Sequence, residues 1–354
     1  MRYLLILITL FSTTLLITTR IVIAETSEHS IKIGHITDQV GIGAFFGVAS
    51  VKGIQLGLDE LKSAGFKVEL ITEETGGKNS GAALAAQKLI QKDHVDGIIC
   101  DLTGPCSIIS EITAKAKIPL IYHSPSREVS SKNPYAFRNF IDYEDSCRKL
   151  AEQLGPISDK MVGSLNGNLE FGELCLSGIN SVFPNHASYR NDPYDDLRSI
   201  ATALFSRKIQ YLFMTGYEQD LLQLIKLLNE HDSAAQLLFI EVLITKESYK
   251  LIKQLKTGPS IAGFPNPSEV FLSKIRAKFS SNYDFVPGLS AVSYNSLIAM
   301  SEALNTCSPK DLQCIEKKFS IPSKLSEMHF EGLSKGKPSY PTTIKSIKEF
   351  SFLE

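Results

Sequence analysis

The chain has 354 residues, a formal net charge of −1, 43% hydrophobic residues, six cysteines and no tryptophan. That length suits two cores rather than one. A near-neutral balance without a basic block excludes nucleic acid and strongly anionic surfaces as expected partners.

The chain opens MRYLLILITLFSTTLLITTRIVIAET: Arg2 gives a charged start, residues 3–16 an apolar core, and Val22 and Ala24 the small residues before a cleavage site. This pattern predicts an export signal over residues 1–24, cleaved after Ala24, and hence a periplasmic protein. The uncharged run also approaches membrane-span length, so an uncleaved anchor is the alternative. No cysteine lies near the cleavage site to carry a lipid.

Residues 31–36 (IKIGHI) read as a strand, 37–46 as a loop, and 48–61 as a helix with Val51, Ile54, Leu58 and Leu61 on one face. Strand 66–72, helix 81–91 and strand 95–100 follow. The stretch 97–126, GIICDLTGPCSIISEITAKAKIPLIYHSPS, reads as strand, hydroxyl-bearing turn, helix, strand and second hydroxyl-bearing turn. Such βαβ units build parallel sheets and place ligands at the carboxyl ends of their strands. A second alternating series begins near Tyr143: helix 143–154, strand 160–164, loop 165–172, helix 172–182, an extended piece at 187–189, helix 195–207, strand 209–214, helix 219–231 and strand 236–241. Residues 283–308 contain a long amphipathic helix, and 337–353 suggest paired short strands. The expected fold class is α/β, in two similar halves.

Export makes disulfides permissible. Cys307 and Cys314 bracket a short segment, SPKDLQ, and are expected to form a local bridge. Spacing leaves the pairing of Cys100, Cys106, Cys147 and Cys175 open. No histidine accompanies the cysteines at zinc-finger spacing, so no metal site is expected. Gly41, Gly43 and Gly47 (GIGAFFG) follow a strand, but the spacing is not that of a dinucleotide fingerprint; the loop is expected to rim a cleft. No nucleophile elbow, HExxH helix or P-loop is present in the sequence, so neither an enzyme nor a cofactor is expected.

The layout resembles the periplasmic binding proteins of the branched-chain amino-acid family. The resemblance is carried by IKIGHITDQVGIGAFFGVASVKGIQLGLDEL, HVDGIICDLTG, KIPLIYHSPS, NPYAFRN, NLEFGEL, and IQYLFMTGYEQDLLQLIKLLNEH followed by LLFIE. It implies two Rossmann-like lobes with parallel-sheet cores joined by a multi-strand hinge, lobe one being 29–143 plus 264–340 and lobe two 144–263 plus 341–354. It further implies a monomeric receptor that delivers a small amino acid or related amide to an ABC transporter permease. A ligand sensor on the same fold, signalling to a membrane partner, is the alternative.

Residue by residue, the resemblance places the ligand's carboxylate on Thr103, and its ammonium on Ser124, Ser126 and Glu241. It gives Phe171 and Tyr217 to the pocket from the second lobe. Phe46 is a further candidate wall. Each has a local alternative: Thr103 as a helix cap, Ser124 and Ser126 as turn formers, Tyr217 as a strand cap, Glu241 as a solvated strand end, Phe46 and Phe171 as core. The sequence departs from the family pattern at Asp101, His123 (for a proline), Arg127 and Phe171 (for a tyrosine). Asp101, His123 and Arg127 near the pocket would suit a more polar or acidic ligand; as surface groups they would have no such role.

Overall fold

The computed structural model describes residues 30–41, 43–193, 195–279, 286–335 and 337–353; the expected export signal lies outside them. No helix among the described residues is long and apolar enough to cross a membrane.

The first sheet is built from β1 (Ile31–Thr37), β2 (Val68–Glu74), β3 (Gly97–Asp101), β4 (Leu120–His123) and β5 (Ala136–Arg138), all parallel, in the order β2-β1-β3-β4-β5. Its crossovers are the helices α1 (Ala44–Ser63), α2 (Asn79–Gln91), α3 (Thr103–Ala116) and the short α4 (Glu128–Ser131). Side chains alternate across a strand, so each strand divides its residues between two helix layers. Ile98, Cys100, Leu120 and Tyr122 pack in one cluster with Ala82, Ala86 and Ile109 of α2 and α3. Ile99 and Ile121 join the opposite cluster with α1. By the same alternation His35, Asp101 and His123 fall on this second face, Asp101 and His123 at the carboxyl ends of their strands.

The second sheet comprises β6 (Val162–Gly167), β7 (Ala187–Asn191), β8 (Tyr211–Thr215), β9 (Gln236–Ile240), β10 (Ser260–Gly263) and β11 (Thr343–Lys345). Its order is β11-β10-β9-β8-β6-β7, with only β11 antiparallel. Helices α5 (Tyr143–Glu152), α6 (Glu170–Asn180), α7 (Arg198–Ser206), α8 (Glu218–Glu230) and α9 (Lys246–Ile252) accompany it. The chain then returns through α10 (Glu269–Phe279), α11 (Pro287–Leu304) and α12 (Leu312–Phe319), with α11 against α1. Three segments cross between the sheets, after β5, after β10 and before β11. Each gives one ring to a stack: Phe140 meets Phe264 at 5.2 Å and Phe264 meets Tyr340 at 5.5 Å, both edge to face.

Cys307 bonds Cys314 as expected, joining the end of α11 to α12. Cys147 bonds Cys175 between α5 and α6, and Cys100 bonds Cys106 across the β3–α3 turn.

The structure differs from the sequence reading in three places. The helix expected to be amphipathic is α11, and it is buried nearly all round. Ser290, Ser293 and Ser296 make this possible by bonding inward, as Ser290 does to the Ala49 carbonyl. Residues 337–353 form no hairpin: Thr343–Lys345 pairs with β10, and Ile347–Leu353 is a 3₁₀ helix. The strand expected at 160–164 is displaced to Val162–Gly167. Asn166, which reads as loop, is satisfied inside the sheet by Ser164 Oγ at 2.8 Å and Thr215 Oγ1 at 3.2 Å.

The α1–α11 contact depends on Gly53, where a Cβ would lie 1.9 Å from the Ser290 carbonyl oxygen. Gly53→Ala is therefore expected to force the helices apart and cost about 2–3 kcal/mol, read as a lower midpoint in urea or thermal unfolding.

Candidate functional site

The carboxyl ends of the two sheets face a common cavity of about 560 Å³. From the first sheet side come Gly43, Phe45 and Phe46 at the start of α1, Leu102, Thr103, Gly104 and Pro105 at the β3–α3 turn, and His123 and Pro125 after β4. Phe140 and Tyr143 come from the first crossing. From the second sheet come Glu170 and Phe171 of α6, Gly216 and Tyr217 after β8, and Ile240, Val242 and Leu243 after β9. Phe171 and Tyr217 meet edge to face at 5.6 Å, and Phe46 lies 5.8 Å from Phe140. The lining is thus mostly apolar and aromatic. Its only carboxylate among the described residues is Glu170, and it contains no lysine or arginine.

Thr103 opens α3, and its hydroxyl shares a 2.6 Å hydrogen bond with Ser124 Oγ. Ser124 also accepts from the Ser126 amide at 3.1 Å, and Ser126 Oγ accepts from the Glu128 amide at 3.2 Å, ordering the turn after β4. Thr103, Phe46, Phe171 and Tyr217 therefore converge on one cavity. Ser124 and Ser126 are buried behind its wall.

Asp101 and His123, singled out as departures, are not free groups. They are register partners on β3 and β4. An ionised carboxylate only accepts, so His123 Nδ1 donates to Asp101 Oδ1 at 2.6 Å and His35 Nε2 to Asp101 Oδ2 at 3.2 Å. His123 Nε2 lies 2.7 Å from Ser296 Oγ on α11, which itself accepts from Asn139 Nδ2 at 2.7 Å. His35 continues through Ser50 (3.1 Å) to Ser293 (2.8 Å). Burial would raise the Asp101 carboxyl, but the hydrogen bonds from His123 and His35 outweigh it and hold the group well below the usual carboxylate range. Within this chain of contacts only His123 also reaches the cavity.

Arg127 is exposed and bonds Asp142 at 2.6 Å, where the buried Arg138 also points. It lies outside the cavity lining. Glu241 is 1% exposed and also outside the lining. Its carboxylate accepts from Lys345 Nζ at 2.6 Å and from the Phe264 amide at 3.0 Å, so it ties β9 to β11 and to the second crossing. Burial pushes its carboxyl up, and Lys345 pulls it part of the way back. In this arrangement its charge is met by the protein's own ammonium rather than by a ligand's.

Nothing in the sequence singles out Phe140, Tyr143, Glu170 or Val242. The usable signal is positional, since each follows a strand or crossing on the side where Thr103 and Tyr217 lie.

A family model described as periplasmic binding protein matches residues 30–311. No curated protein matches the sequence. Among solved structures, the leucine-binding protein LivK of Thermotoga maritima superposes with a TM-score of 0.74 at 16% identity, covering 89% of this chain and 97% of that one. LivJ of Streptococcus pneumoniae, a branched-chain amino acid transporter substrate-binding protein in complex with isoleucine, gives 0.76 at 16%, covering 89% and 95%. An ABC transporter solute-binding protein of Rhodopseudomonas palustris in complex with 3,4-dihydroxybenzoic acid gives 0.74 at 17%, covering 89% and 92%. At these identities the likeness speaks for the fold.

Proposed function

This chain belongs to the periplasmic binding protein family, and from that premise we propose that it is an extracytoplasmic receptor for an ABC transporter. It captures a small amino acid or related amide between its lobes and presents it, as a monomer, to the membrane permease. The lobes are read as 29–143 with 264–340 and 144–263 with 341–354, a division supported by strand membership in the two sheets. The observation that carries the reading is the cavity itself, walled by aromatic rings from both sheets, with a hydroxyl at one end and a single carboxylate on its lining. A buried carboxylate or amide carbonyl needs fixed donors, which Thr103 and the first amides of α3 supply. With Glu241 held by Lys345, Glu170 becomes the partner for an amine. Phe46, Phe171 and Tyr217 pack the apolar body. Capture without turnover is favoured because Asp101 and Ser296, the two partners of the His123 ring, are fully buried and lie outside the cavity lining, so no hydroxyl activated by His123 faces the ligand.

The test is a thermal-shift and calorimetric series with L-leucine, L-leucinamide, 4-methylpentanoate and L-phenylalanine. A ligand selective for the folded state raises the melting temperature according to its concentration over Kd. At least one amino acid or amide is expected to bind. Thr103→Val should weaken it about tenfold or more, and Glu170→Gln should weaken the amine-bearing probes while sparing 4-methylpentanoate. Silence from every probe removes the proposed ligand class.

A further inference from the structure

We infer that the Cys100–Cys106 disulfide is a positioning clamp for the ligand wall rather than a general staple of the fold. The chain leaves β3 at Asp101 and enters α3 at Thr103, with a single residue, Leu102, to make the corner. Leu102 makes it at φ +71°, a region that side-chain-bearing L-residues avoid. Such a corner persists only where its surroundings hold it. Three contacts do so here. The Leu102 amide donates to the His123 carbonyl at 3.2 Å, and the Cys106 amide donates back to the Leu102 carbonyl at 3.2 Å. The disulfide then closes the turn covalently from behind.

The placement is what separates this bridge from the other two. Both sulfur-bearing residues are fully buried in the α2–α3 cluster, while all four residues from Leu102 to Pro105 line the cavity. The neighbouring wall is fitted to the same corner: a Cβ at Gly43 would lie 2.6 Å from Leu102 Cδ1. A shift of this turn therefore moves the Thr103 hydroxyl, its contact with Ser124, and the Gly43 edge together.

A bridge over so short a loop gives less chain-entropy stabilisation than one over a long loop. The model-dependent gain grows with loop length, and Cys147–Cys175 spans 28 positions against six for this pair. A binding constellation instead loses function when its groups drift by a fraction of an ångström. Cys307–Cys314 spans seven positions outside the cavity lining and is a size-matched control.

The experiment compares wild type, Cys100→Val/Cys106→Ala (which keeps the buried volume apolar) and Cys307→Ala/Cys314→Ala. Its readouts are amide hydrogen exchange at positions 102 and 106, the two hydrogen-bonded amides of the corner, and calorimetry with L-leucine, L-leucinamide and 4-methylpentanoate. The clamp predicts about tenfold or faster exchange at these amides and about tenfold or weaker binding only when the Cys100–Cys106 bridge is removed. Unchanged exchange there, or affinity within about twofold of wild type despite faster exchange, overturns it. The affinity arm rests on the receptor reading. Should no probe bind wild type, that reading fails by itself and the exchange comparison alone decides the clamp.

Discussion

Lys345→Met is expected to cost about 3–5 kcal/mol at neutral pH, because it strands the Glu241 carboxylate inside the protein without a counter-charge. The pair is a poor source of net stability, since both ions have lost their water, but breaking it from one side is severe. Lys345→Met/Glu241→Gln should recover most of the loss, as the neutral amide oxygen keeps the bond from the Phe264 amide. The pH dependence follows from the direction of the Glu241 shift, which is upward. A carboxyl raised in the folded state supports folding best below its unfolded value of about 4.3, and that support fades as pH rises through the folded value. Removing Lys345 strengthens the upward push. The deficit of Lys345→Met should therefore be smallest near pH 4 and widen toward pH 7, as read from urea unfolding midpoints. A deficit that is the same at both pH values would mean the carboxylate is not the stranded charge.

Asp101→Ala is the second large effect, at about 3–4 kcal/mol. It leaves the His123 Nδ1–H donor buried without an acceptor, leaves His35 Nε2 only the Ser50 hydroxyl, and opens a void at the end of β3. Asp101→Asn should be milder, because the amide oxygen still accepts from His123 and the imidazole of His35 can change tautomer. Here the sign runs the other way. The Asp101 carboxyl is held below the usual range, so its contribution is complete above the unfolded value of about 3.9 and is lost as pH falls further. The gap between wild type and Asp101→Ala should close on acidification below about pH 4. Unfolding curves from pH 3 to pH 7 measure this directly. A gap that stays constant across that range would place the stabilising interaction elsewhere.

The strands of both sheets are legible in the sequence because they are short apolar runs between turn residues. The turn after β3 is legible because Thr, Gly and Pro cluster there. Thr103, Phe46, Phe171 and Tyr217 all reach the cavity because each sits just beyond a strand end or at the start of the helix that follows, and that position can be counted along the chain. What cannot be counted is the partner. Glu241 reads as a free acid at a strand end until Lys345, 104 positions later on a three-residue edge strand, is brought beside it. Asp101 and His123 read as polar departures until Ser296, 173 positions from His123, closes the chain of contacts beneath them. The burial of α11 is hidden for a related reason. Its serines look like a solvated face, yet Ser290 and Ser293 spend their hydroxyls on α1. Long-range pairing of polar groups, rather than periodicity, is what decides these positions.

The cavity wall and the polar chain beneath it are almost separate sets of residues. His35, Asp101, Ser296 and Asn139 hold the strand ends and lie outside the cavity lining; Thr103, Glu170, Phe171, Tyr217 and Val242 face the cavity from turns and helix starts. Only His123 belongs to both. Such a division lets recognition drift while the scaffold stays fixed, so a library randomised at those five wall positions should retain folded members far more often than one that touches Asp101 or Ser296. The cavity wall in this chain is thus a thin layer, one side chain deep, laid over buried and mutually hydrogen-bonded strand ends.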